Sequence, residues 1–464
     1  MTITDARGNT TTNVYDKAGN LRSKTDAQGD VTQYFYNQSG RRVQVTDALG
    51  NVTRYGYNRL GFVNLETDAL GNESFTVTDA LGNPLNRNVR RTLNGVSEVI
   101  TTTYEYDGNN RLVKTTAPDG TFTRTVYNSI GQVAETYDQQ NRKTSYTYDE
   151  MGRVTGTTYP DGTTEGATYD AEGRRLTSTD RSGKTTSFTY DKLGRPTKTT
   201  YPDTSFTETT YDAVGQVLSV KDARSNTTAY EYDDAGRRTK VTDARGKVTT
   251  FAYDRNGNQT GMTDALSHTT TSEYDKLNRR TKTIFADGTF SSTTYDALGR
   301  STAKTDQAGK TTQYEYDKLS RLMKVTDALG QVTGYTYDEV GGQLMQTDAS
   351  NHTTSYEYDK LSRRVRRRLP AGQTETYSYN NTGTLASRTD FNGKTTTFAY
   401  DPLNRLLSKT PDASFGQAQV TFTYNALGQR LSMTDASGTT TYTYDGRNRL
   451  ASKATPQGTL SYTY

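Results

Sequence analysis

The feature that most constrains the fold of this chain is a tyrosine, followed by aspartate or asparagine, that recurs at nearly constant spacing. These anchor tyrosines run from Tyr15 to Tyr464, with Thr78 in place of one of them. Seventeen of the 21 intervals between the 22 anchors are 21 residues long, and the others are 28, 24, 20 and 20 residues. A fixed period of this length indicates a chain built from one repeated supersecondary unit.

Each repeat divides into two turn-like and two β-prone stretches. In the repeat that begins at Tyr316, residues 317–320 and 327–330 are rich in turn formers, whereas 321–326 and 332–337 favour strands. The turns often begin with Asp and carry Gly three residues later, which suits an Asx-type turn that ends at positive φ. Each repeat is therefore predicted to be one β-hairpin.

The predicted hairpins imply an all-β fold with one long antiparallel sheet. About 21 repeats of this kind would give roughly 42 strands, which at ~4.8 Å spacing extend on the order of 200 Å. Because strands twist, a sheet of this width is expected to curl into a spiral, a ring or a solenoid. Thr333, Tyr335 and Tyr337 alternate along one strand and so project from one face, which predicts a stripe of stacked aromatic rings.

The composition favours an exposed β architecture and argues against several classes of protein. Only 31% of the residues are hydrophobic and the mean hydropathy is −0.89, so a compact core is not expected. The net charge is +4 with both signs interleaved, which predicts no nucleic-acid partner. The absence of cysteine excludes disulfides and thiolate metal sites. No apolar run is long enough for a membrane span, and the first residues resemble no secretory signal.

The residue types that support catalysis recur with the repeat and are not grouped at a separate site. His268 and His352 are the only histidines, and each lies 15 residues after an anchor tyrosine, so both are interpreted as residues that flank turns. Most aspartates recur at the same two turn positions, which favours turn formation over a glycosidase pair. The sequence therefore predicts no enzyme, no metal site and no cofactor.

Arginine recurs five residues after the anchor in twelve repeats, and tyrosine recurs in every second strand. Two interpretations of the arginines stay open: they pair with neighbouring aspartates and cover the sheet, or they help to hold a glycan or an enclosed chain. The tyrosines are expected to pack between strands, although similar stripes bind sugars or single-stranded nucleic acid elsewhere.

The strongest local departure from the repeat is a basic stretch that replaces the usual approach to the second turn. It is a candidate contact for a polyanion or a glycan, with an exposed strand as the alternative. A second departure is the 28-residue interval before Tyr106, where a seven-residue insertion is expected to lengthen a hairpin at one rim. The basic stretch contains Arg363, Arg364, Arg366, Arg367 and Arg368.

The repeat resembles the YD repeat of the RHS family, most closely in residues 148–153 and 232–237, which read Tyr-Asp-x-x-Gly-Arg. The resemblance covers essentially the whole chain. It implies a β-strand spiral that forms a hollow cocoon, as in bacterial RHS toxins, the B and C components of insecticidal toxin complexes and animal teneurins. In the bacterial members the cocoon encloses a C-terminal toxin domain. Toxin members typically carry an Asp-Pro-x-Gly self-cleavage motif, whereas Asp401-Pro402-Leu403-Asn404 lacks the glycine, so self-cleavage is not expected.

These observations predict a single YD-repeat array over residues 1–464, with an insertion near 79–105, irregular repeats from 401 and no separate effector domain. Both ends are expected to be cut from a longer array. The predicted function is a non-catalytic shell or scaffold that encloses or presents a partner polypeptide such as a toxin domain. The alternative is an extracellular carbohydrate-binding or adhesion module. In either case, secretion or cell-surface association by a non-classical route is expected.

Overall fold

The computed structural model describes residues 1–93 and 95–464, and the chain is almost entirely β-structure in these ranges. The described residues form 44 strands of a single antiparallel sheet and one 3-10 helix, Ala413–Phe415. The strands are β1 Thr2–Thr4, β2 Thr10–Tyr15, β3 Leu21–Thr25, β4 Val31–Tyr36, β5 Arg42–Thr46, β6 Val52–Tyr57, β7 Val63–Thr67, β8 Glu73–Thr78, β9 Pro84–Leu93, β10 Val96–Tyr106, β11 Leu112–Thr116, β12 Phe122–Tyr127, β13 Val133–Tyr137, β14 Lys143–Tyr148, β15 Val154–Thr158, β16 Thr164–Tyr169, β17 Arg175–Thr179, β18 Thr185–Tyr190, β19 Pro196–Thr200, β20 Phe206–Tyr211, β21 Val217–Lys221, β22 Thr227–Tyr232, β23 Arg238–Thr242, β24 Val248–Tyr253, β25 Gln259–Thr263, β26 Thr269–Tyr274, β27 Arg280–Ile284, β28 Phe290–Tyr295, β29 Ser301–Thr305, β30 Thr311–Tyr316, β31 Leu322–Thr326, β32 Val332–Tyr337, β33 Gln343–Thr347, β34 Thr353–Tyr358, β35 Arg364–Arg368, β36 Thr374–Tyr379, β37 Leu385–Thr389, β38 Thr395–Tyr400, β39 Leu406–Thr410, β40 Val420–Tyr424, β41 Arg430–Asp435, β42 Gly438–Tyr444, β43 Leu450–Thr455 and β44 Gly458–Ser461. The prediction of an all-β hairpin array is confirmed.

The chain divides into two compact units, each made of two segments that are distant in sequence. Unit 1 contains Met1–Thr103 and Thr228–Glu357, and unit 2 contains Tyr104–Thr227 and Tyr358–Tyr464. Within each unit the first of these is called the early segment and the second the late segment. The pairing of consecutive strands builds each segment, and contacts between turns join early and late segments of the same unit.

The pairing pattern of one hairpin in unit 1 illustrates the register of the sheet. Val325 of β31 pairs with Thr333 of β32, and Tyr335 of β32 pairs with Gln346 of β33. The register then shifts between Thr336 and Tyr337, because the anchor tyrosine sits at a β-bulge. The same shift precedes the anchor tyrosine in most other repeats, so the 21-residue period includes one bulge per hairpin.

Both turns of most repeats use the same geometry. In the second turn of the same hairpin, the Asp327 carboxylate accepts hydrogen bonds from the backbone N–H groups of Leu329 and Gln331, each at 2.9 Å. Gly330 then adopts φ +80°, in the left-handed region that favours glycine. Asn or Ser takes this position in several repeats, for example Ser320 at φ 63°. The predicted Asx-type turn with positive φ is confirmed.

The two faces of the sheet differ in chemistry. One face, here called the tyrosine face, carries Tyr335 and Tyr337. It also carries Val325, which pairs with Thr333. Lys324 and Thr326 lie on the other, the threonine face. Pairs of threonine hydroxyls and Lys–Glu ion pairs recur across neighbouring strands of the threonine face.

No hydrophobic core holds the described residues together. None of their hydrophobic side chains is buried, and the accessible surface is 26528 Å². A compact monomer of this mass, 51.5 kDa, would expose only about 17,000 Å². The sheet is therefore a single layer with both faces largely accessible. The six buried residues of the described ranges are all polar: Arg91, Thr157, Asp338, Glu375, Asp401 and Thr440.

The two irregular regions keep the hairpin plan. The insertion lies in the long hairpin of β9 and β10, where Arg90 pairs with Val99. Asn94, which belongs to the predicted insertion, lies outside the described residues. After residue 401, the longer interval between β39 and β40 holds the 3-10 helix, and Ser408 still pairs with Thr421. In the described part of the chain, no helix has the length and hydropathy needed to cross a bilayer.

Candidate functional site in the arginine ladder and turn junctions

The recurring arginine joins two consecutive repeats through three contacts. Arg321 Nε donates to Asp317 Oδ2 at 2.6 Å within its own turn. Its Nη1 donates to the backbone carbonyl of Asp338, in the next repeat, at 2.6 Å. The guanidinium carbon also lies 4.9 Å from the centroid of the Tyr337 ring. One planar cation thus binds a carboxylate, a carbonyl and an aromatic face at once.

This arrangement, here called the arginine ladder, recurs along both units. In eleven repeats the arginine Nε donates to the aspartate four residues earlier, at 2.5–2.8 Å. The prediction that these arginines pair with neighbouring aspartates is confirmed for eleven of the twelve, and the exception is Arg41, which has Asn37 at the aspartate position. The ladder arginines are Arg111, Arg153, Arg174, Arg195, Arg237, Arg279, Arg300, Arg321, Arg363, Arg405 and Arg449.

The anchor tyrosine ties together the two strands of its own hairpin. Its hydroxyl donates to a backbone carbonyl at the start of the preceding strand, as Tyr337 does to Leu322 at 2.6 Å. Burial raises the pKa of Tyr337 above its ordinary value, so the phenol remains a hydrogen-bond donor well beyond neutral pH. The same bond spans 15 residues in most repeats of both units, for example from Tyr148 to Val133 in unit 2.

Four repeats of the late segments lack the ladder arginine. Asn258, Gly342, Thr384 and Gln429 stand at its position. At each of these places a basic side chain from the early segment of the same unit reaches the neighbouring turn. These junction residues are Arg7 and Arg91 in unit 1, and Arg142 and Lys184 in unit 2.

The junction at Arg7 joins a second turn of the early segment to first turns of the late segment in unit 1. Arg7 donates through Nη2 to the carbonyl of Asp275. Its Nη1 lies 3.5 Å from Asp254 Oδ2, and its backbone N–H donates to Asn256 Oδ1 at 2.9 Å. Asn256 in turn donates to Asp5 at 2.6 Å. A ladder arginine at position 258 would donate a hydrogen bond to the carbonyl of Asp275, and Arg7 donates this bond in its place.

The junction at Arg91 is the most deeply buried ion pair among the described residues. Arg91 Nη2 and Nε donate to Asp338 Oδ2 at 2.6 and 3.0 Å, and both side chains are 1% exposed. The adjacent Thr92 hydroxyl donates to Glu339 at 2.6 Å. A Cβ at Gly342 would lie 2.6 Å from the same Asp338 oxygen and 3.1 Å from Arg91. The insertion hairpin therefore supplies the guanidinium that position 342 omits.

The junctions of unit 2 follow the same rule. Arg142 donates to Asn404 Oδ1 at 3.0 Å and to the carbonyl of Asp401 at 3.4 Å. Lys184 donates to Asn448 Oδ1 at 2.8 Å and to the carbonyl of Asp445 at 2.9 Å. Basic residues of the early segment therefore meet acceptor groups of the late segment.

In unit 2, two late-segment turns that keep their arginine face an acidic residue of the early segment. Arg363 lies 3.7 Å from Asp119, and Arg405 lies 3.7 Å from Asp161, both within unit 2. In unit 2, the early segment thus presents a basic residue where a late-segment repeat lacks its arginine, and an acidic residue beside Arg363 and Arg405. This complementarity fixes the register in which the two segments meet.

The candidate basic stretch does not form one cluster, because the strand divides its side chains between two faces. Arg363 is a ladder arginine bound to Asp359 at 2.6 Å. Arg364 stacks on the Tyr377 ring at 4.9 Å, and Arg367 Nε lies 3.1 Å from Glu375 without donating a hydrogen bond to it. Arg366 and Arg368 pair with Thr376 and Thr374 on the opposite face and are exposed.

Glu375 is the buried acid of this region, with 1% of its side chain exposed. The Tyr377 hydroxyl and Arg388 both donate to its carboxylate. Burial acts to raise the pKa of Glu375, but these two hydrogen bonds and the nearby arginines outweigh it and hold the pKa below its ordinary value. The carboxylate is therefore charged at neutral pH and neutralises the part of the basic stretch on its face.

Both histidines flank second turns, where each lies beside the aspartate of its own turn. His268 Nδ1 lies 3.2 Å from Asp264, and His352 Nδ1 lies 3.4 Å from Asp348. Their interpretation as turn-flanking residues is confirmed. Among the described residues, no three His, Asp or Glu side chains are grouped as a metal site would require. Asp401-Pro402-Leu403-Asn404 forms an ordinary first turn in which Asn404 has φ 62°.

Comparison with known families decides what kind of repeat this is. The model of the RHS repeat matches residues 15–52, 36–73, 211–250, 232–266, 253–289, 295–326, 316–345, 379–414 and 418–460, which together make up more than half of the chain. The chain belongs to the RHS repeat family. The model of the teneurin YD-shell also matches residues 89–222 of this RHS array.

Solved structures share the fold of the RHS array at low sequence identity. A mutant Tc holotoxin pore of Photorhabdus luminescens is 14% identical, with a TM-score of 0.70, and the match covers 96% of this chain and 28% of that one. A crystal structure of TcdB2-TccC3-Cdc42 is 15% identical, with a TM-score of 0.54 and coverage of 96% and 33%. The chain thus spans a third or less of these structures. No curated protein sequence matches it.

The RHS signature and the arginine ladder are the same residues. The Arg of the motif binds the Asp of its own repeat and stacks on the Tyr of the next repeat, and the Gly of the motif takes the left-handed position of the turn. Sequence reasoning missed the junction residues of the RHS array. They were missed because the joined residues lie between 247 and 268 positions apart. The available signal was the absence of arginine from four late-segment repeats, combined with basic residues of the early segments.

The Arg91 junction predicts a rescue by a second substitution. Arg91→Met should lower the free energy of unfolding by about 3–5 kcal/mol, because it leaves the buried Asp338 carboxylate without its cation. Gly342→Arg alone should also destabilise, since its Cβ would clash with the existing pair. In the Arg91→Met background, however, Gly342→Arg restores a ladder arginine and should recover stability. Chemical unfolding of the four proteins measures this, and equal effects of Gly342→Arg in both backgrounds would contradict it.

The ladder aspartates predict a loss of stability in acid. Burial acts to raise the pKa of Asp275, but hydrogen bonds from Arg279 outweigh it and hold the pKa below its ordinary value. A depressed carboxyl pKa stabilises the fold above the unfolded-state pKa, and this contribution is lost as pH falls through the folded-state pKa. Asp275→Asn should therefore cost about 1–2 kcal/mol at pH 7, and the difference should shrink below about pH 4. Unfolding at several pH values tests this, with the exposed Asp234→Asn as the control that should change little.

Proposed function

We propose that this RHS array is a structural wall that encloses or presents a partner polypeptide. The observation that carries the proposal is the single-layer sheet without a hydrophobic core, whose two faces are largely accessible in the described ranges. A chain that leaves so much surface exposed provides extended faces and not an enclosed site. Membership of the RHS repeat family and the match to a teneurin YD-shell support a role as a shell or scaffold.

The arginine ladder suits such a wall because it holds neighbouring hairpins together without a second layer of strands or helices packed on the sheet. Each ladder arginine uses the edge of the sheet near the turns, so the central part of each strand stays available for contact. The tyrosine face would offer aromatic rings to a partner, and the threonine face would offer hydroxyl groups and ion pairs. We propose that residues 1–464 act as one repeat array in this role, without an effector domain of their own.

A toxin domain is the proposed class of partner, and the proposed place of action is outside the cell. The chain shares its fold, at 14–15% identity, with a Tc holotoxin pore and with TcdB2-TccC3 structures. This shared fold supports both proposals. The array itself is proposed to be non-catalytic. The residues most suited to catalysis, His268 and His352, are exposed and lie beside turn aspartates, which supports that proposal.

The basic stretch is proposed as a contact for an acidic partner segment through Arg366 and Arg368. These two side chains are exposed on the threonine face, whereas Arg364 and Arg367 lie against Tyr377 and Glu375. The carbohydrate-binding alternative gains no comparable support, since the ladder arginines on which it relied are engaged by aspartates.

Protection of an attached polypeptide tests the wall function. A flexible reporter segment with a single protease site would be fused after Tyr464 of the full chain, and the same reporter would be fused to a compact unrelated domain as the control. If the array encloses a partner, cleavage in the array fusion should be slower by on the order of tenfold or more, because the site must first leave the enclosure. Equal cleavage rates in the two fusions would argue against enclosure.

A further inference from the structure

A row of exposed aliphatic side chains marks the first turns of the early segment of unit 2. The third residue of four of these turns is Ile130, Met151, Leu193 or Val214, and each is between 65% and 81% exposed. We call this set the open row. Glu172 holds this position in the turn between Met151 and Leu193, so the four aliphatic side chains form two exposed pairs in neighbouring turns. Exposed apolar side chains grouped in this way are characteristic of an interaction surface.

The late segment of the same unit shows how such a row is covered. Leu361, Leu403 and Leu427 occupy the equivalent turn position there, and all three are half-buried. These are the turns that the second turns of the early segment reach, through contacts such as Arg142 with Asn404. The open row thus occupies the same turn position as the leucines of the late segment, but its side chains are exposed where those leucines are half-buried.

In unit 1, leucines also occur in the second turns, which are the turns that the early segment of unit 2 uses at its junctions. Leu49 and Leu70 lie in second turns of its early segment and are 46% and 45% exposed. Leu266 and Leu329 hold the same position in second turns of its late segment and are 71% and 79% exposed. Lys310, also exposed there, matches the turn position of Arg142 and Lys184, which donate across the junctions of unit 2. This second set, Leu266, Lys310 and Leu329, is called the second-turn row.

We propose that the open row binds the second-turn row of a second copy of this chain. One row presents aliphatic side chains beside turn carbonyls, and the other presents aliphatic side chains beside a lysine. The polar part of this contact is the one that second-turn residues Arg142 and Lys184 make in unit 2, where they donate to carbonyls of first turns. Because the two rows are different surfaces, the contact is heterologous and can add further copies head to tail. This inference concerns contacts between turns and does not rest on the proposed enclosure of a partner.

The mass of the purified full chain at several concentrations tests this contact. Sedimentation velocity should show a dimer and larger species that increase with concentration. Met151→Asp combined with Leu193→Asp removes the open row, and Leu266→Asp combined with Leu329→Asp removes the second-turn row. Each double variant should shift the association midpoint to at least tenfold higher concentration. Leu218→Asp, an exposed residue within strand β21, serves as the matched control and should associate like the unchanged protein.

Mixing the two double variants provides the decisive comparison. Each keeps one intact row, so the mixture should form a dimer that does not grow further, while each variant alone remains a monomer. Circular dichroism of each variant establishes that the hairpins are still folded. A monomer at every concentration for the unchanged chain, or association that survives in both double variants, would overturn the proposal.

Discussion

The contact on which the rest of the structure depends is the planar guanidinium that binds an aspartate in its own turn, a carbonyl in the next turn and a tyrosine ring. An individual exposed ion pair contributes about 0–1 kcal/mol, and a cation–π contact contributes about 0.5–1 kcal/mol. Neither would hold a domain together alone. In a repeat array, however, each repeat is stabilised by its neighbours. A modest contact can therefore replace a hydrophobic core when its aspartate bond recurs in eleven repeats and its carbonyl bond in eight of them.

The departures from this contact are as informative as its repetition. Where a late-segment repeat lacks its arginine, a basic residue from a distant part of the chain takes over, and Arg91 of strand β9 does so opposite Gly342 in a fully buried site. In unit 2, where the arginine is present, Asp119 or Asp161 can face it. The same chemistry therefore serves two purposes. It joins consecutive hairpins, and it sets the register between segments that are joined by residues 244 or more positions apart.

Local sequence patterns determined the hairpins but not the contacts between distant turns. The 21-residue period, the turn aspartates and the residues at positive φ could be predicted because they depend on neighbours in sequence. Strand alternation alone separates Arg366 and Arg368 from Arg367, but the neutralisation of Arg367 by Glu375 depends on the register in which β35 pairs with β36. The bond from Tyr337 to Leu322 was also missed, since the tyrosines were expected to act only by packing. The Arg91–Asp338 pair required knowledge of which turns meet.

The central claim is that polar contacts between repeats, and not the burial of a hydrophobic core, hold this sheet together. The heat-capacity change on unfolding measures it most directly, because exposure of apolar surface raises this quantity and exposure of polar surface lowers it. Calorimetry of the full chain should give a value per residue clearly below the ~12–15 cal/mol/K that compact globular proteins show. A value within or above that range would mean that folding buries apolar surface as a globular core does, and would contradict the account.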